Sequence, residues 1–441
     1  YTYEELAPIL IAYLKEHGYN YVEIMPLCEY PCDESWGYQD TGYFSPTSRY
    51  GKPEELKSFV DQCHQAGIGV ILDFVPVHFA VNDYALAEYD GTALYEYPNM
   101  AVGRNEWGSC NFMHSRGEVC SFLQSSAYYW MSEFHFDGLR MDAVGNLIYW
   151  QGDASRGENL AALKFIRTMN QGLKERIPEC LLFAEDSTPY QGVTKPVWDG
   201  GLGFDYKWDL GWMHDTLSYF QADADERREK YHKLTFSMMY FYNERYILPL
   251  SHDEVVHGKA TIAQKMNGDY DGKFPQARAF YMYMYAHPGA KLNFMGNELA
   301  QLKEWCEKDE LDWVLLKFPI HEAFHKFMAD LNKCYLKNNA LFQRDFTQGG
   351  FSWVDCHQEQ KCMYLFERIS GEQKILAVFN FSDEVQEYTL ERDYAGYELL
   401  LASDMVKYGG KKRYTKKEKE IKGGNAVFKM GPFSARYYLV K

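Results

Sequence analysis

A helix, a stop, and a short apolar strand: this unit recurs along the chain and constrains the fold more than any other feature. The first copy spaces Leu6, Ile9, Leu10, Tyr13 and Leu14 as a helix, stops at Gly18, and continues into Tyr21-Val-Glu-Ile-Met25. A helix over 53–66 then leads into Ile68-Gly-Val-Ile-Leu-Asp73, and one near 121–134 leads into Phe136-Asp-Gly-Leu-Arg-Met-Asp142. Further strands are expected at Cys180–Glu185, about 203–207, Tyr246–Ser251 and Lys291–Met295, with helices over 158–176 and 275–286 between them.

Strands that alternate with helices and read as nearly continuous apolar runs imply a parallel sheet covered on both faces. A doubly wound sheet and a (β/α)8 barrel both satisfy that pattern. The acidic residues separate them, because Asp73, Asp142, Glu185 and Asp253 each fall at or just past the C-terminal end of a different strand. Convergence of strand ends on one site is the barrel arrangement. No Gly-rich phosphate turn of the doubly wound kind is present.

Past residue 338 the texture changes to alternating segments, Phe351-Ser-Trp-Val, Cys362–Glu367, Ile375–Asn380 and Ala435–Val440, separated by polar and Gly turns. These predict an antiparallel β-sandwich, giving a barrel over 1–338 and a sandwich over 339–441. The basic run Lys411–Lys419 reads as a solvated hairpin loop.

The chemistry is carried by neighbours. Arg140 precedes Asp142 by two residues, so the pleat of one strand points both to the same face, where a guanidinium keeps a carboxylate ionised. That pair reads as a nucleophile and its support. Glu185 follows the apolar run Leu181–Ala184, a setting that raises a carboxyl's pKa and suits a general acid. His78 and His252 can donate hydrogen bonds to substrate hydroxyls. A divalent metal held by the two histidines and the carboxylates is the competing reading, but no HExxH or HxH spacing favours it and neither metal nor cofactor is expected. Paired carboxylic acids, one nucleophile and one acid/base, are what retaining glycoside chemistry requires. The 17% aromatic content fits sugar stacking, with Trp36, Tyr38, Tyr43, Phe44, Tyr206, Trp208, Trp212 and Trp305 expected in loops.

Taken together, Asp73-Phe-Val-Pro-Val-His78, Gly138-Leu-Arg-Met-Asp142, Ala184-Glu-Asp-Ser-Thr188 and Leu250-Ser-His-Asp253 resemble the four signature regions of the α-amylase family of glucan enzymes, family 13 of the glycoside hydrolases. The resemblance implies Asp142 as nucleophile, Glu185 as acid/base, Asp253 as transition-state stabiliser, and Asp73, His78, Arg140, His252, Tyr38, Phe44 and Trp305 as substrate-binding residues. Phe44 falls on the family's aromatic sugar platform. Ser35-Trp-Gly-Tyr-Gln39, Tyr206-Lys-Trp208, Leu210-Gly-Trp-Met-His-Asp215, His252-Asp-Glu-Val-Val-His-Gly-Lys259 and Phe294-Met-Gly-Asn-Glu298 are similar to the glycogen-branching members. Those members carry Glu after the acid/base, where Asp186 stands here.

The resemblance therefore implies transfer of α-1,4-glucan chains to 6-hydroxyls. A hydrolase with water as acceptor uses the same chemistry, and a glucan-binding protein on a decayed barrel would have lost an acid. It also implies that an N-terminal β-sandwich and the barrel's first strand belong to the parent protein, leaving strands two to eight here and a sheet with an open edge.

With 62 Asp and Glu against 46 Lys and Arg, the net charge of -16 excludes nucleic acid as partner. No apolar run approaches the roughly 18 residues of a membrane span. The ten scattered Cys fit free thiols in a reducing cytoplasm.

Overall fold

The computed structural model describes residues 1–423 and 425–441. They form two compact units, Tyr1–Trp208 with Asn243–Arg245, and Asp209–Tyr242 with Tyr246–Lys441.

In the first unit the expected alternation is realised. Helix α1 (Tyr3–His17) opens with a reciprocal cap between Thr2 and Glu5 and closes on Gly18, whose φ of 79° is a left-handed conformation that favours glycine. Strand β1 (Tyr21–Ile24) follows, then α2 (Pro53–Gln65) and β2 (Gly69–Phe74). Helix α3 (Gly117–Glu133) leads to β3 (Gly138–Met141), and α4 (Leu160–Arg176) leads to β4 (Leu181–Ala184) and β5 (Tyr206–Trp208). The strands are parallel in the order β1-β2-β3-β4-β5.

Their apolar side chains bury both ways. Val70, Leu72, Leu139, Met141, Leu182 and Ala184 share one core with Leu123, Ala127 and Trp130 of α3 and Leu163 and Ile166 of α4. Strand β1 differs. Among the described residues it is paired on one side only, and Tyr21 is exposed while Val22, Glu23 and Ile24 are half-buried.

The second unit contains the parallel pair β6 (Tyr246–Leu250) and β7 (Ala290–Asn293), with helices α5 (Leu210–Gln221), α6 (Tyr270–Ala286) and α7 (Pro319–Lys337). Helix α6 starts five residues before the sequence expectation. Asp269 caps it, accepting the Gly272 N–H at 2.8 Å, and Pro275 is accommodated inside the helix rather than at its start. Trp208, in β5, and Trp212, in α5, are buried in elements and not in the loops expected for them. Tyr206 is likewise in β5, and Tyr43 and Phe44 lie in a short strand, Gly42–Pro46.

Strands β8 (Phe351–Gln358), β9 (Met363–Ser370), β10 (Gln373–Asn380), β11 (Gln386–Glu391), β12 (Gly396–Ala402), β13 (Glu420–Lys422), β14 (Asn425–Met430) and β15 (Ser434–Val440) build the C-terminal domain. One antiparallel sheet has the order β8-β9-β10-β15-β12-β13 and a second pairs β11 with β14. The two-residue period decides what each face covers. Met363 and Leu365 pack with Leu390 and Phe428 between the sheets, while Tyr364 and Phe366 join the core with Phe280 and Tyr283 of α6. The basic run lies in the connection between β12 and β13, where Thr415 caps a single turn, Lys416–Lys419.

Candidate active site

In the first unit the site is organised by Arg140, which the pairing of β2 with β3 places directly opposite Asp73. The guanidinium is buried. Its Nη1 donates to both Asp73 oxygens at 2.7 and 2.8 Å, to Asp142 Oδ1 at 2.9 Å and to the Tyr38 hydroxyl at 3.3 Å. Nη2 lies 3.8 Å from Glu185 Oε2. The cation also stacks over Trp208, 4.6 Å from the ring centroid. The expectation from the pleat, Arg140 and Asp142 on one face, is met in these distances.

Asp73 receives a further hydrogen bond from Tyr38 Oη at 2.5 Å. Burial raises its carboxyl above the ordinary range and Arg140 opposes that rise. Glu23 on β1 is pushed up to about 7 by burial, again against the pull of Arg140.

The acid/base candidate is held from the backbone of the turn that follows Asp142. Ala143 has φ of 46°, a left-handed conformation that costs a non-glycine residue about 1–3 kcal/mol. That turn aims the Ala143 N–H at Glu185 Oε2, 2.7 Å away, and the Val144 N–H at the Glu185 carbonyl, 2.9 Å away. Glu185 thus sits in a more polar setting than its apolar run suggested. Asp186 turns into the protein. Its carboxylate pairs with Lys207 of β5 at 2.8 Å and accepts the Thr188 N–H at 2.9 Å, while Lys207 Nζ also donates to the Thr188 carbonyl at 3.0 Å.

His78 is buried, and burial lowers its pKa. As a neutral ring it donates from Nε2 to the Tyr38 carbonyl at 2.9 Å. Tyr43 braces the same backbone, its hydroxyl donating to the His78 carbonyl at 2.6 Å. Phe44, expected as the sugar platform, is placed elsewhere: its ring packs on Phe122 and Tyr129 of α3, with centroids 5.4 and 5.5 Å apart. Successive residues of a strand point to opposite faces, so Tyr43 takes the inner face and Phe44 the outer. Tyr38 is the aromatic beside the carboxylates.

Sequence reasoning passed over Glu23, Asp40 and Lys207. A charged residue inside an alternating strand was the available signal for Glu23 and Lys207. Asp40 is buried with neither carboxylate oxygen hydrogen-bonded among the described residues, and burial together with the Asp73 and Asp142 charges raises its pKa well above 3.8.

In the second unit, His252 and Asp253 follow β6 in a short helical turn, with His252 Nε2 3.5 Å from Asp253 Oδ1. Asp253 is half-exposed, and its carbonyl accepts from Lys259 Nζ at 2.7 Å. The Trp305 N–H donates to the Val255 carbonyl at 3.0 Å, and its ring meets Phe294 edge-on, 5.3 Å between centroids. Among the described residues no cluster of three or more His, Cys, Asp or Glu could hold a metal ion.

Residues 10–91 match the α-amylase catalytic-domain family, and residues 353–441 match the α-amylase C-terminal all-β domain family. A 1,4-α-glucan branching enzyme GlgB of Fusobacterium nucleatum subsp. nucleatum is 47% identical over 416 residues, covering 93% of this chain and 67% of that protein. The chain belongs to the GlgB family of 1,4-α-glucan branching enzymes. Another GlgB, from Nitrosomonas europaea, is 46% identical over 429 residues, covering 93% of this chain and 58% of that protein. The chain thus spans about three fifths to two thirds of the length of these relatives. Among solved structures, an Anoxybacillus α-amylase superposes with a TM-score of 0.73 at 17% identity, over 100% of this chain and 90% of that one, which establishes for this GlgB-family chain the α-amylase fold.

Proposed function

We propose that the chain carries the catalytic machinery of a 1,4-α-glucan branching enzyme, with Asp142 as nucleophile, Glu185 as acid/base and Asp253 as transition-state stabiliser. The observation that supports this most is the single guanidinium, Arg140, that binds Asp142 at 2.9 Å and stands 3.8 Å from Glu185. It holds Asp142 by a charged hydrogen bond and sets both carboxyls on one side of the sheet.

In the first step an Asp142 oxygen attacks the anomeric carbon of an α-1,4-linked chain. The bond to the leaving 4-oxygen breaks and Glu185 gives that oxygen its proton. In the second step the 6-hydroxyl of another glucan gives its proton to Glu185, its oxygen attacks the anomeric carbon, and the ester to Asp142 breaks. Configuration is retained. Tyr38 supplies the aromatic platform, His78, His252 and Asp73 orient sugar hydroxyls, and Trp305 contacts the glucan.

The unpaired side of β1 supports a first barrel strand pairing there in the whole protein. The C-terminal match at 353–441 supports a catalytic domain over 1–338 and an accessory sandwich over 339–441. The ten cysteines are free thiols, which supports a reducing cytoplasm as the place of action. Among the described residues no helix is long and apolar enough to cross a membrane.

The test is incubation of the full-length protein with amylose. Iodine colour should fall while reducing ends stay constant until an α-1,6-specific debranching step releases them. An immediate rise in reducing ends makes water the acceptor and the protein a hydrolase.

A further inference from the structure

Trp107 is 49% exposed, whereas Trp130, Trp208 and Trp212 are each exposed by 2% or less. Exposure alone does not mark a site, since Trp198 is 87% exposed; what sets Trp107 apart is its place against His78. Its place is fixed with some care. The turn that carries it is closed by Asn105, whose Oδ1 accepts the N–H groups of Trp107 at 3.2 Å and Ser109 at 2.9 Å, while the Asn105 N–H reaches the Ser109 carbonyl at 3.2 Å. Gly108, at φ of 77°, supplies the left-handed residue the turn requires. Buried Ser109 ties the turn to Gln39, its hydroxyl donating to Oε1 at 2.8 Å, next to Tyr38.

The turn leads into Cys110–Asn111, which pairs antiparallel with His78–Phe79. The indole therefore comes to lie 5.4 Å from the His78 ring, centroid to centroid, at 43°. The ring is thus against the imidazole that contacts Tyr38 and is half-exposed. An aromatic face held rigid at the rim of a polar site offers a flat apolar surface to the C–H face of a sugar ring, at little cost in ordering.

We propose that Trp107 is a glucan-stacking residue that receives the sugar unit next to the one contacted by His78, and so sets how strongly the site holds longer α-1,4-glucan chains. The assignment rests on the α-glucan reading of this site. Asn105 and Ser109 act as positioning residues for the ring.

The experiment is calorimetric titration of maltoheptaose into the full-length protein made unreactive by Glu185→Gln, with and without a second change at residue 107. Trp107→Leu keeps an apolar side chain but no flat face, and should weaken binding by about tenfold, the size of one lost aromatic contact. Trp107→Phe should stay within about threefold. In the reactive protein Trp107→Leu should raise KM for amylose with kcat nearly unchanged, and should shift the debranched product chains in length. Equal maltoheptaose affinity with and without Trp107→Leu overturns the stacking role while leaving the branching reading intact. Absence of both maltoheptaose binding and branching in the parent protein overturns the two together.

Discussion

At the scale of single residues, Asp40 is the side chain that works against the fold. Its carboxyl is buried beside Asp73 and Asp142 without a hydrogen-bond partner among the described residues, so the folded protein holds its proton to a pH well above the ordinary 3.8. Between those two values the folded state binds a proton that the unfolded state has lost, and stability falls as pH rises, by up to about 1.4 kcal/mol per unit. Asp40→Asn removes that slope. The urea midpoints of parent and variant should therefore coincide near pH 4 and separate as pH rises toward 8, with the Asp40→Asn variant the more stable. Parallel midpoints across that range would contradict the account. What the residue scale left illegible follows the same logic. Arg140 and Asp142 could be paired from sequence because two residues apart on a strand is a fixed geometry. Asp40 and Trp107 could not be placed, because loop conformation decided whether each faced the site or the solvent, and Phe44 could not, because the short strand Gly42–Pro46 that turns it toward α3 was not foreseen.

At the scale of elements, the strand ends were legible and their lateral pairing was not. Asp73, Asp142 and Glu185 mark where β2, β3 and β4 finish, and the apolar runs before them mark where these strands lie. That Lys207 of β5 reaches Asp186 at the end of β4 depends on register, which a sequence of short parallel strands does not fix. This pair is buried on both sides, so removing one partner strands the other's charge. Lys207→Met should destabilise the protein by about 3 kcal/mol, at the low end for buried pairs because Thr188 still donates to Asp186. Adding Asp186→Leu should recover most of the loss. A double variant as unstable as the single one, by urea unfolding, would show that packing and not charge is what the pair supplies.

At the scale of the whole molecule, the barrel class was legible because Asp73, Asp142, Glu185 and Asp253 fall at or just past the ends of four different strands. The helix α6 start and the burial of Trp208 and Trp212 were not, since composition alone does not separate an aromatic in a loop from one in a core. The two outer strands carry the main consequence. Strands β1 and β7 each have one paired side among the described residues, and β7 is only half-buried throughout, whereas β6 is fully buried. Unpaired parallel edges with apolar side chains template association. Residues 1–441 prepared alone should scatter light as oligomers at micromolar concentration; a monomeric, active preparation would contradict this.

The central claim is that Asp142 forms a bond to the sugar while Glu185 moves the proton. Intact-protein and peptide mass spectrometry of the Glu185→Gln variant, treated with a maltosyl fluoride whose leaving group needs no acid, tests it most directly. The account predicts a glycosyl adduct on the peptide that contains Asp142, absent when Asp142→Asn is added. An adduct on another carboxylate, or one that survives the second substitution, would contradict it.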